Sequence, residues 1–158
     1  MTAIQTLNKV VDIAEKRRDE ARAALAQQQR ELQIAHDQLQ QLQTYADEAQ
    51  QRWMARSSGA GVDAQQLFHQ RQFMAKIDHA LEFQRGVIAN REALIERSQG
   101  QLMVAERDVA GLRKYTERKL QAAQQIAQRQ DQKATDEMAL SIHLRQSLAL
   151  AQAQGMRS

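Results

Sequence analysis

Ser57-Ser58-Gly59-Ala60-Gly61 is the one stretch of this 158-residue chain in which two Gly and two Ser cluster. On both sides the sequence is Pro-free, polar and periodic, so a helical chain has its point of reversal here. Upstream, Leu7, Val11, Ala14, Arg18, Ala21, Leu25, Gln28, Leu32, Ala35, Leu39, Leu42, Ala46, Ala49 and Trp53 follow one another in alternating steps of four and three. That spacing keeps one seam of a helix toward a partner helix and leaves charged and amide side chains for solvent. Thr2 followed by Gln5 is suited to cap its start.

Downstream, Asp63 with Gln66 has the same form, and a second seam follows: Leu67, Gln70, Met74, Ile77, Leu81, Gln84, Ile88, Arg91, Ile95, Ser98, Leu102, Ala105, Val109, Leu112. Large aliphatic residues alternate there with positions that are often polar or small. Reversal near residue 60 pairs positions whose numbers sum to about 120, setting Trp53 near Leu67 and Leu7 near Arg113. The expected fold is therefore all-α, a long antiparallel two-helix coiled coil or helical hairpin. It would occupy 1–158 as one domain, with helix 1 over 3–56, a turn over 57–62 and helix 2 over 63–150. A parallel homodimer through either helix is the structural alternative, but it leaves the Gly-rich turn unexplained.

Nothing in the first helix is long enough to cover the second beyond about residue 115. The seam degrades there to Thr116, Lys119, Ala123, Ile126, Gln130 and Lys133, and then Leu140, Leu144, Leu148 and Ala151 recur at helical spacing. This overhang reads equally as a frayed tail or as an arm that orders on a partner.

Composition narrows the function. The chain has no Cys, which removes disulfides and thiolate chemistry and suits a reducing compartment. The start shows no basic stretch followed by an apolar run, and no window approaches a membrane span, so the expectation is a cytoplasmic protein without direct membrane insertion. Net charge is +3, with the excess in residues 113–158, which hold eight Lys or Arg and four Asp or Glu. Those cations are scattered among Gln and Ala with Tyr115 as the one aromatic, a pattern that fits an acidic protein surface or a solvated face better than nucleic acid.

A catalytic site needs groups converging in a concavity, and two paired helices provide none, so the expectation is no catalytic residue, no cofactor and no enzyme activity. His36, His69, His79 and His143 never stand three or four apart with a second ligand type, so no metal site is expected within one helix. Gly59-Ala60-Gly61 lacks the Lys-Ser/Thr of a phosphate cradle. Gly86, Gly100 and Gly111 fall on outer positions and lower helix propensity by about 1 kcal/mol each. The informative departure is a second apolar row, Phe73, Ala80, Val87 and Leu94, one position ahead of the seam. It reads either as a widening of the core or as a docking patch level with Gln38, Leu42 and Tyr45.

Leu7, Ile13-Ala14-Glu15-Lys16, Asp19 and Ala21, then Gln38-Leu39, Leu42 and Tyr45, then Phe73-Met74, Ile77 and Ala80, and last Asp131-Gln132-Lys133 with Asp136-Glu137 together resemble the flagellar FliJ family. The likeness spans nearly the whole chain and rests on order, spacing and length rather than on one motif. It implies a component of the flagellar type III export apparatus, in the cytoplasm and peripheral to the inner-membrane export gate. Its partners would be a hexameric export ATPase, a transmembrane export gate protein and export chaperones.

By the same resemblance the chain is similar to the central stalk of rotary ATPases. The paired ends would enter the ATPase ring, with Leu7, Val11, Lys114, Arg118, Lys119, Gln132 and Lys133 as contacts. The export gate patch would comprise Gln38, Leu42, Tyr45, Phe73, Ile77, Ala80 and Gln84. Two positions depart from the family's pattern: Ala49 stands where an aromatic is common, and Gln84 where a His is common. Two other classes stay open from the residues alone, a free-standing coiled-coil chaperone or adaptor binding through the C-terminal stripe, and a self-assembling scaffold.

Overall fold

The computed structural model describes residues 2–157, apart from the side chain of Ala60. Among them are two α-helices, α1 (Ala3–Ala60) and α2 (Ala64–Met156), packed against each other as a helical hairpin. The chain divides into two units, Ile13–Val109 and a second made of Met1–Asp12 with Ala110–Ser158.

In the Ile13–Val109 unit the turn is shorter and later than expected. α1 runs through Ala60 rather than ending at residue 56. The Ser57 and Ser58 hydroxyls donate back to the Met54 and Ala55 carbonyls (3.2 Å each), which keeps them within the last helical turns. Among the described residues only Gly61 has a positive φ, 71°, the left-handed conformation that ends a helix and that a Cβ disfavours. Two residues later the Gln66 N–H donates to Asp63 Oδ1 (2.7 Å), with a longer return bond from the Asp63 N–H to Gln66 Oε1 (3.4 Å). The second helix is thus capped reciprocally, as the sequence spacing implied.

The seam of this unit is narrow. Ala14, Ala35, Ala46 and Ala49 are buried on α1, while Ile77, Leu81, Ile88 and Val109 are buried on α2. Large aliphatic side chains of one helix therefore enter spaces left by Ala on the other, the complementarity that a two-helix core needs. Ala46, Ile77 and Leu81 form its central cluster, with Leu39, Leu42 and Met74 packed against it. Every expected seam position from Ala14 to Trp53 and from Gln70 to Val109 is buried or half-buried. Leu67 is the exception at 41% exposed, because the chain has only just left the cap and the helices have not yet closed over it.

Polar contacts between the two helices fix the register. Gln84 is 9% exposed and its amide donates both to the Ala35 carbonyl (2.9 Å) and to Gln38 Oε1 (3.1 Å). Arg91 reaches Glu31 (2.6 Å), and Arg22 approaches Glu106 (3.7 Å). Each pair joins residues far apart in sequence, so a shift by one heptad would break all of them at once.

In the other unit, the Thr2 N–H donates to Gln5 Oε1 (3.1 Å) and the Gln5 N–H to Thr2 Oγ1 (3.2 Å), the same reciprocal cap at the start of α1. Leu112 and Thr116 are half-buried, and from Glu117 onward every described residue is exposed. α2 nevertheless continues to Met156, beyond the expected residue 150.

Candidate functional site

Within the Ile13–Val109 unit the residues expected at an export gate separate into a floor and a surface. Ile77 (6% exposed) and Gln84 lie in the seam, Ile77 in the central cluster and Gln84 on the Ala35 carbonyl. Tyr45 (46% exposed) and Phe73 (38% exposed) stand at the edge of the seam, ring centroids 6.1 Å apart at 73°, an edge-to-face pair across the two helices. Leu42 and Ala80 are half-buried and Gln38 is exposed. An aromatic pair that joins two helices and still faces solvent is a rigid apolar surface, which is what a partner groove can grip.

The second apolar row sits at this margin. Ala80 and Val87 are half-buried, whereas Phe73 and Leu94 remain exposed, so the row both widens the core and shows outside. Ala49 is buried in the seam and Gln84 is tied down by hydrogen bonds. At the two positions that depart from the family's pattern, this chain places residues that hold the hairpin together.

A surface the periodicity missed lies alongside. Phe83 is 70% exposed and, with Leu42, Ala80, Lys76 and His79, lines a groove of about 640 Å³. Its heptad position is an outer one, so counting steps of three and four gives no reason to single it out. The usable signal was a lone Phe among Glu, Gln and Arg.

The residues expected at the ATPase ring all belong to the unit formed by Met1–Asp12 and Ala110–Ser158. Leu7 and Val11 are half-buried, and Lys114, Arg118, Lys119, Gln132 and Lys133 are exposed. Leu7, Ile4, Tyr115, Lys119 and Ala123 line one groove of about 620 Å³. Lys119 Nζ sits 5.5 Å from the Tyr115 ring centroid, a cation–π contact at a wet surface. Gln132 donates to Asp136 Oδ1 (3.0 Å), one helical turn away. Beyond it Leu140, Leu144 and Leu148 are all more than half exposed.

Among the described residues no three His, Asp or Glu side chains gather to hold a metal ion, and no helix is long and apolar enough to cross a membrane. What the fold offers is an all-α hairpin whose exposed apolar surfaces are helix faces. Residues 3–148 match the flagellar FliJ protein family, and the chain belongs to that family. It is accordingly a component of the flagellar export apparatus. No curated protein and no solved structure matches it.

Proposed function

We propose that this protein is the stalk-like component of the export apparatus, inserting into a hexameric export ATPase, contacting the transmembrane export gate and escorting unloaded export chaperones. The observation that supports it best is the solvent-facing Tyr45–Phe73 pair, at the positions where the family resemblance expects a gate contact. The cations Lys114, Arg118 and Lys119 lie in the other unit, with Leu7 and Val11, and meet acidic loops inside the ring. ATP is hydrolysed by the partner. Apolar contacts supply the affinity of each site, and the exposed cations speed and orient encounter.

Added to its cognate export ATPase, the purified chain is expected to raise ATP hydrolysis and to promote ring assembly. A triple variant, Lys114→Glu with Arg118→Glu and Lys119→Glu, should lose most of that stimulation. An unchanged rate and an unchanged oligomer distribution with the natural chain contradict the reading.

A second reading is favoured by the continuous helix that carries Leu140, Leu144 and Leu148 to Met156. In it the chain is a free-standing adaptor that clasps helical or unfolded clients by this stripe. Removing residues 136–158 separates the two. The stalk reading retains ATPase stimulation, whereas the adaptor reading loses client binding.

A further inference from the structure

Phe83 belongs neither to the core of the hairpin nor to the gate contacts named above, yet it is the most exposed aromatic among the described residues. It stands on a paired stretch of α2, with Leu81 and Gln84 beside it in the seam, so its position is held by the fold rather than by a loop. The groove it lines has Leu42, Ala75 and Ala80 as its apolar part, and Lys76, His79 and Gln84 as its polar part. No carboxylate lines that groove; Asp78 and Glu82, with Arg85, line the neighbouring one, which shares Ala75 and His79 with it. Lys76 has no ion-pair partner among the described residues. Apolar area next to an uncompensated cation is complemented by an apolar side chain next to a carboxylate.

We infer that Phe83 and Lys76 extend the gate-facing surface, and that the gate segment they take presents an aliphatic or aromatic side chain adjacent to an Asp or Glu. The inference rests on the gate reading of Tyr45 and Phe73. Leu42, Ala80 and Gln84 are shared by that patch and by the groove, so one partner segment crossing the hairpin covers both. Phe83 acts as an anchor at the far side of that crossing. Lys76 sets the charge that the segment must carry.

Titration calorimetry of the full chain with the soluble part of its cognate export gate protein tests this. Tyr45→Ala probes the gate reading, and Phe83→Ala and Lys76→Glu probe the groove. Phe83→Ala should weaken binding about tenfold, as an anchor residue does. Lys76→Glu should weaken it by about the same factor at low salt and by less at 0.5 M salt, where the charge is screened. Both variants should melt at the temperature of the natural chain, because neither position is in the seam. No measurable binding by the natural chain overturns both readings. Gate binding that is lost in Tyr45→Ala but unchanged in Phe83→Ala and Lys76→Glu leaves the gate reading standing and overturns the groove. Loss of chaperone binding in Phe83→Ala with gate affinity intact assigns the groove to another partner, and also overturns it.

Discussion

Between Ile13 and Val109 the expected seam residues find each other, whereas from Glu117 to Met156 residues of the same kind find nothing. Both stretches are helical and both carry Leu, Ile and Ala at helical spacing. In the first, Ile77 and Leu81 are buried in a cluster with Ala46 of α1, and Ile88 is buried too; in the second, Leu140, Leu144 and Leu148 stay exposed. The difference shows that apolar periodicity predicts the helix without predicting its cover. Cover depends on how much chain lies on the other side of the turn, and α1 with 58 residues cannot match α2 with 93. The paired region owes its order to packing, and the stretch after Glu117 to helix propensity alone.

A charge placed in the seam has the largest expected effect on stability. Ile77→Asp puts an unpaired carboxylate in the central cluster and should cost about 4 kcal/mol or more, abolishing cooperative thermal unfolding followed by circular dichroism. Leu144→Asp, in the uncovered stretch, should leave the melting temperature within about 2 °C of the natural chain. A matching loss for Leu144→Asp would mean that the stripe is covered after all.

Substitutions elsewhere between Ile13 and Val109 have smaller expected effects. Gln84→Ala removes the hydrogen bonds to Ala35 and Gln38 and leaves a gap, at a cost of about 2 kcal/mol in denaturant unfolding. Gln84→Met, which fills the same space, should recover about half of that. Gly61→Val forces a β-branched residue into a left-handed backbone and should cost about 1–2 kcal/mol, reading out at the turn rather than in the seam. Arg91→Ala should cost less than about 1 kcal/mol, since both partners of the Arg91–Glu31 pair remain partly exposed, and that loss should shrink further at high salt.

The seam was legible in the sequence because burial in a two-helix protein depends on one repeat, and that repeat runs unbroken through Arg18, Gln28, Gln84 and Arg91 despite their polarity. Both caps were legible for a similar reason, since Thr2 with Gln5 and Asp63 with Gln66 are local devices complete within four residues. The turn was placed too early because Ser57, Ser58 and Gly59 look like loop residues by type. Nothing local says that both hydroxyls would bond back into the helix and that Gly61 alone would take the left-handed angle. Phe83 escaped because an outer position is silent in a heptad count, and the division of the gate patch into buried Ile77 and Gln84 and exposed Tyr45 and Phe73 depends on how the two helices meet.

In the function proposed above, the gate is met by the Ile13–Val109 unit and the ATPase by the other unit. Hydrogen–deuterium exchange of the full chain, alone and with the soluble part of the cognate gate protein, tests it most directly. The expected result is added protection confined to residues 38–45 and 73–87, with 117–156 exchanging as in the free chain. Protection on 117–156 without any on 38–45 and 73–87 would contradict it.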